Sequence, residues 1–473
     1  MLNFFQKKNL ASACTTLVSL TALLASAPAQ AVNLSSNGQG QVLIYPYYTV
    51  RGGHDSYLSV VNRTDQAKVV QVRLREARNG REVLAVKVFL AAHDQWSAGV
   101  TATADGAKLF TGDPSCTSPA IPAGGAPLSN ARFASTTITP GLMSTGGDGA
   151  GTELDRTREG YIEVIELGVL SHAATLATLG GERGSAACSP ALLSADMGPQ
   201  AGARSLSSPS GGLLGSGTLI NVAGGTEYSY QPVVLDGFSN VNLWTVEGPD
   251  LRAATPKISL TLNKGRAITS TWSKGEDAVS AVLTHASLSN DYVLERSTQS
   301  GTDWVVTMPT KHYYVPVIDD VPIMPLQPFK PFASGFNGQA CNWVHDTDRL
   351  NPWDREGREA GGGDVDFATR PPYNPLYCWE SSVVSFGTSV LGSLARTENT
   401  GDVGWHPEQM NGWGEQRFRE PHQQLTSLEG HVYRGLPVTG FMVHNFANGN
   451  VGGLLSNYGG NFDHKYTTVV ETP

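Results

Sequence analysis

The chain has 473 residues, with 33 Lys and Arg against 42 Asp and Glu and a formal net charge of −9. That length supports two or three domains and an ample core. The acidic balance argues against nucleic acid and against anionic membrane surfaces as partners.

Residues 1–31 have the form of a secretory leader. Lys7 and Lys8 give a basic start, 10–24 an apolar stretch, and Ala29-Gln30-Ala31 a small-residue cleavage site. A membrane anchor is the competing reading, but the apolar run is short and broken by Ser and Thr. No later stretch approaches the roughly 18 apolar residues of a spanning helix. The expectation is export to the periplasm, the cell surface or the medium, with no membrane span once the leader is removed. Beyond Cys14 in the leader, the cysteines are Cys116, Cys188, Cys341 and Cys378. An even number in an exported chain favours disulfides. Of the three connectivities, Cys116 with Cys188 and Cys341 with Cys378 keeps each bridge within its own region. None of the four sits in a C-x-x-C, which speaks against a zinc or redox motif.

Residues 41–48 are aromatic and β-branched, with Pro46 marking an edge strand or a bulge. A second strand, 56–62, follows Gly52-Gly53. In 68–76, Val70, Val72 and Leu74 share one face and Gln71, Arg73 and Arg75 the other, the period of a half-buried antiparallel strand. Asn79-Gly80 suits a two-residue hairpin turn. The return strand 83–91 turns Leu84, Val86, Val88 and Leu90 inward and Lys87 outward, and 95–101, with Trp96, makes a fifth. Five short strands at this spacing predict an immunoglobulin-like β-sandwich over 32–105.

Residues 106–473 are expected to form a larger, loop-rich, mainly β region, either separate or packed with the first as one unit. Strands are predicted at 131–139, 161–167, 218–222, 257–262, 302–308, 312–317, 382–386, 431–436, 441–446 and 465–470. One or two short helices are predicted, at 170–179 and 277–292, with Asp277 as a cap of the second. The proline-rich 318–380 reads as an irregular excursion.

Several segments carry a resemblance: Gly40-Gln-Val-Leu-Ile-Tyr-Pro-Tyr-Tyr, Glu159-Gly-Tyr-Ile-Glu-Val-Ile-Glu, Gly217-Thr-Leu-Ile-Asn-Val, Thr302-Asp-Trp-Val-Val-Thr-Met-Pro-Thr-Lys and Gly440-Phe-Met-Val-His-Asn-Phe. They resemble the landmarks of a family of exported, uncharacterised Gram-negative (proteobacterial) cell-surface proteins, over nearly the whole chain after the leader. The resemblance implies an extracytoplasmic location and carries no catalytic residues.

Motifs for several chemistries are missing: G-x-S-x-G, H-E-x-x-H, a P-loop and a helix-opening G-x-G-x-x-G. Glycoside hydrolysis needs two facing carboxylates. Glu163 and Glu166, three apart on a predicted strand, fall on opposite faces, with one expected in solvent. Asp346, Asp348, Asp364 and Asp366 could offer oxygens to calcium from flexible loops, although solvated loop acids are the commoner outcome. Trp343, Trp353, Trp379, Trp405 and Trp413 crowd one region with Tyr373 and Tyr377. Such aromatics present flat apolar faces to a sugar or a protein, or else pack beneath the excursion. His444 and His464 would approach each other if their strands pair.

The sequence therefore points to an exported, non-catalytic structural or binding protein. Its expected partner is an extracytoplasmic protein or glycan, with no cofactor unless calcium. The alternative is a glycan-binding or glycan-hydrolysing enzyme with its site in 341–413.

Overall fold

The computed structural model describes residues 30–134, 150–180, 205–245, 248–315, 330–332, 350–358, 377, 379–395, 411–419 and 421–473. The chain is mainly β, in several antiparallel sheets with short helices. Among the described residues no helix is long and apolar enough to cross a membrane.

The first group of strands is β1 (Val42–Thr49), β2 (Asp55–Asn62), β3 (Lys68–Glu76), β4 (Glu82–Leu90), β5 (Gln95–Ala102), β6 (Glu159–Leu170), β7 (Leu213–Asn221), β8 (Thr226–Tyr230) and β9 (Val233–Asp236). Helix α1 (His172–Leu179) follows β6. One sheet runs β9-β1-β6-β3-β4 and the other β8-β7-β2-β5, each extended by short edge strands. The period-two pattern decides the core between them. Val70, Val72, Leu74, Val86 and Val88 from the first sheet meet Leu58, Val60, Trp96 and Val100 from the second. Strands as far along as Asp236 complete these sheets, with β6 inserted between β1 and β3.

The second group begins with α2 (Gly275–Leu283), then β10 (Ser287–Val293), β11 (Gly301–Thr307), α3 (Lys311–Tyr314), β12 (Leu350–Asp354), β13 (Ser381–Phe386), β14 (Asn411–Arg417), β15 (Thr439–Val451), β16 (Leu454–Asp463) and β17 (Lys465–Thr467). A third sheet runs β13-β11-β15-β16 and a fourth β12-β14-β10-β17. The third is apolar on both faces. Val305, Val383, Phe441 and Val443 join the first core, while Trp304, Val306, Val384 and Met442 meet Leu288 and Tyr292 of the fourth sheet.

Five local expectations change. Pro46 lies within an interior strand, at a register shift in the β1–β6 pairing, so the bulge reading holds and the edge reading does not. The β3–β4 connection spans 77–81 instead of two residues, because the Glu76 carboxylate accepts the backbone N–H groups of Arg78, Asn79 and Arg81 and rounds the loop. The helix expected over 277–292 stops at Leu283. Beyond it Leu288 and Tyr292 alternate into the core as strand β10. Residues 312–314 of the strand expected over 312–317 lie in α3, and residues 131–134 of the one expected over 131–139 are helical.

The largest correction concerns the polar face of β3. The outer face of the first sheet is covered by α2 together with Phe238, Trp244, Leu251 and Trp272. Gln71, Arg73 and Arg75 are therefore buried, as are both Glu163 and Glu166. Arg75 Nε donates to Glu163 Oε1 at 2.9 Å and Arg73 Nε to Glu82 Oε2 at 2.6 Å. On the opposite face Lys68 Nζ donates to Glu166 Oε1 at 2.6 Å, with both side chains 0% exposed. Burial of a charge is tolerated only with a partner, and every one of these carboxylates has one.

Behind this layer sits Glu380. Its Oε1 accepts the Tyr161 hydroxyl at 2.7 Å and lies 2.6 Å from His312 Nδ1. A Cβ on Gly80 (φ +64°) would collide with this carboxylate, so the 77–81 loop needs glycine there for space as well as conformation. Burial pushes Glu380 up to about 8 and, with Arg75 nearby, His312 well below its ordinary value of 6.5.

The folded pair thus keeps one proton to about pH 8, whereas the unfolded pair releases its last one near 6.5. Between those values the folded state binds more protons, so stability falls as pH rises, by about 2 kcal/mol in all. Urea unfolding from pH 6.5 to 8.5 should show this decline in the parent chain relative to Glu380→Gln. That variant mimics the neutral acid and shares the opposing contribution of His54, His285, His444 and His464, all lowered by burial.

Candidate functional site

The fourth sheet covers its inner face and leaves the other open. Leu288 and Tyr292 point into the core beside Leu350 and Tyr466, so residues of opposite parity must face outward. Register then places Trp353 opposite Trp413, and Trp413 opposite Asp291. The two indoles stack with centroids 4.3 Å apart and planes at 19°. Trp413 remains 43% exposed. The next outward row is Asn351, Glu415, Ser289 and Lys465.

Trp413 forms one wall of a cleft of about 500 Å³. Asn290 and Asp291 of β10, Asn461, Phe462 and Asp463 of β16, and Tyr230 and Gln231 at the end of β8 also line it. Phe462 is 55% exposed. Its charges are Asp291 and Asp463 against Lys465. The arrangement pairs flat apolar surface with amide, carboxylate and ammonium groups, which orient a ligand by hydrogen bonds in both directions.

His464 fixes part of this lining. Burial lowers it to about 4, so the ring is neutral. Its Nε2 lies 2.9 Å from the Val305 carbonyl and must carry the hydrogen, leaving Nδ1 to accept from Asn290 Nδ2 at 3.1 Å. Asn290 Oδ1 in turn accepts from the Asp291 N–H. His444 is not its partner: β15 and β16 do pair, but register places Gly460 opposite His444.

Of the aromatic residues singled out by sequence, Trp353 and Trp413 come together. Trp379 lies elsewhere, with the Arg78 guanidinium 5.6 Å from its ring centroid. Tyr377 is buried in the core and donates to Gln416 Oε1. Trp343, Trp405 and Tyr373 lie outside the described residues, as do Asp346, Asp348, Asp364 and Asp366, so the calcium expectation falls outside them too. Among the described residues no group of three His, Cys, Asp or Glu could hold a metal ion. Cys116 is buried, and Cys188, Cys341 and Cys378 lie outside the described residues, so the disulfide pairing falls outside them as well. The sequence reading missed Asp291, Asn461, Phe462 and Asp463. Their only signal is an apolar residue, Phe462, between two polar ones ahead of a strand.

Compared with known proteins, the chain matches no family model, no curated protein and no solved structure.

The Trp353–Trp413 stack should be directly measurable. A double-mutant cycle with Trp353→Ala and Trp413→Ala, read by urea unfolding, should give a coupling of about 0.5–1.5 kcal/mol. The exciton signal in circular dichroism should vanish in either single variant.

Proposed function

We propose that this is an exported, non-catalytic glycan-binding protein whose ligand site is the cleft beside Trp413. The observation that carries the reading is the Trp353–Trp413 stack, which holds an exposed indole face over a groove with planar polar side chains. A pyranose ring has an apolar face of C–H groups and an equatorial belt of hydroxyls. Stacking on an aromatic serves the first, and amide and carboxylate groups serve the second. The excess of Asp291 and Asp463 over Lys465 favours neutral or amino sugars over uronic acids. The volume suits one or two sugar units of a longer chain lying along an open groove. Export is supported by the basic, apolar and small-residue sections of 1–31 and by the family resemblance, and places such a protein among extracellular or envelope polysaccharides.

Affinity electrophoresis through gels cast with xylan, mannan, β-glucan or polygalacturonate tests the reading. At least one neutral polysaccharide should retard the protein, and polygalacturonate should do so less. Trp413→Ala should weaken retardation about tenfold or more, the equivalent of a lost stacking contact. Trp379→Ala should leave it unchanged. Release of reducing sugar from any of the four would overturn the non-catalytic part, and retardation insensitive to Trp413→Ala would overturn the site.

A further inference from the structure

A second cleft, of about 590 Å³, lies where β3, the 77–81 loop, the 248–252 turn and α3 meet. We propose that it binds small oxyanions, the phosphate or carboxylate group of a soluble ligand, between its arginines and His312. This is independent of the glycan reading and uses none of its residues.

The first support is charge. Arg73, Arg75, Arg81, Arg132 and Arg252 line the cleft, against Glu82, Asp250 and Glu276. Adding Glu163 beneath Arg75 still leaves the cations in excess, in a chain whose net charge is −9. Three of the five guanidinium groups are held in place. Arg73 donates to Glu82 and to the Pro249 carbonyl, Arg75 to Glu163 and the Gly80 carbonyl, and Arg252 forks onto both Asp250 oxygens. Such pre-orientation lowers the ordering cost of ligand binding.

The second support is hydrogen-bonding capacity. His312 lines the cleft, its Nδ1 faces Glu380, and its buried Nε2 has no partner. A buried polar atom left so asks for a ligand or water. Below about pH 8 the pair keeps one proton, which the 2.6 Å contact holds between Nδ1 and Oε1. If Glu380 holds it, the acid donates to Nδ1 and the ring's own hydrogen is on Nε2. If the ring holds it, both nitrogens carry hydrogen. Nε2 is a donor in either case, alongside guanidinium groups that can only donate. A cleft with surplus positive charge and donors to spare fits an oxyanion.

Above pH 8 the pair loses its proton, Nδ1–H turns to the carboxylate, and Nε2 becomes an acceptor. Oxyanion affinity should then fall. The groups facing the pair are Tyr161 and Glu163 of β6, Arg75 of β3, Lys311 and Tyr313 of α3, and Asp250 and Arg252 of the turn.

Calorimetric titration of the protein with sodium phosphate and with sodium malonate, against chloride of matched ionic strength, tests this at pH 7 and pH 9. Saturable binding of either anion at pH 7 is expected, weaker by about tenfold at pH 9 and in Arg252→Gln. Phosphate alone would assign a phosphorylated ligand, malonate alone a carboxylate, and both an oxyanion at large. Glu380→Gln should make the affinity insensitive to pH, since the amide donates to Nδ1 throughout and keeps hydrogen on Nε2. Arg252 is exposed, so a folded variant is expected, checked by circular dichroism. No heat with either anion would overturn the proposal, as would binding that neither Arg252→Gln nor pH 9 alters.

Discussion

Three carboxylates on one strand hold the first sandwich in a single register. Glu159, Glu163 and Glu166 of β6 are all buried, and each takes a cation from a different place: Arg51 just past β1, Arg75 near the end of β3, and Lys68 at its start. A buried ion pair adds little net stability, because desolvation offsets attraction, but a buried charge without its partner costs several kcal/mol. The three pairs therefore act on alternatives more than on the native state. A one-residue slip of β6 would turn Glu163 away from Arg75 and Glu166 away from Lys68 at once. Glu76 adds a fourth anchor, paired with Arg156 while capping the 77–81 loop.

The same chemistry ties the second half of the chain to the first. Beyond its pair with Arg51, Glu159 accepts from Ser393 and from the Leu394 N–H. Asp303, on β11, accepts the N–H groups of Val390 and Leu391. The segment after β13 is thus strapped between a carboxylate of the first sandwich and one of the third sheet. With Val305 and Phe441 packed into the first core, the third sheet cannot shift independently of it. The Trp413 cleft is built across this junction, with walls from β8 on one side and from β10, β14 and β16 on the other. Its shape follows from rigid sheet packing, the condition under which a shallow groove can bind without a large ordering cost.

The sequence revealed alternation well and coverage poorly. The positions of β2 to β5 follow from period two and turn residues, and Val70, Val72 and Leu74 lie in the core as their spacing implies. Period two says which residues share a face but not whether that face is wet. Gln71, Arg73 and Arg75 have the pattern of a solvated face, and are buried only because α2 and the 238–272 stretch fold over them from about two hundred residues away. The same blindness hid Glu163 and Glu166, whose partners lie on another strand. The site was half legible for a related reason. Tryptophan density drew attention to Trp353 and Trp413, but their contact depends on cross-strand register between β12 and β14, which no local pattern encodes. Asp291 carries no such signal, and Phe462 only that of an apolar residue between two polar ones.

The two clefts differ in what the fold has left unsatisfied, and that difference argues for different ligands. At the Trp413 groove the side chains that remain available include donors and acceptors, set around an exposed ring, so a ligand must bring hydroxyl groups and an apolar face together. At the His312 cleft most acceptors are engaged internally: Glu82, Glu163 and Asp250 each hold a guanidinium, and Glu380 Oε1 holds both Tyr161 and His312, while Glu163 Oε2 and Glu380 Oε2 stay buried without a hydrogen bond. What lines the cleft in excess is N–H groups and positive charge. A neutral sugar would leave that charge uncompensated and would meet Tyr313 with the Arg252 guanidinium already over its ring, while an oxyanion would find two carboxylates to oppose it in the groove. The proposed selectivity between the sites thus rests on which half of each hydrogen-bonding pair the scaffold has already taken.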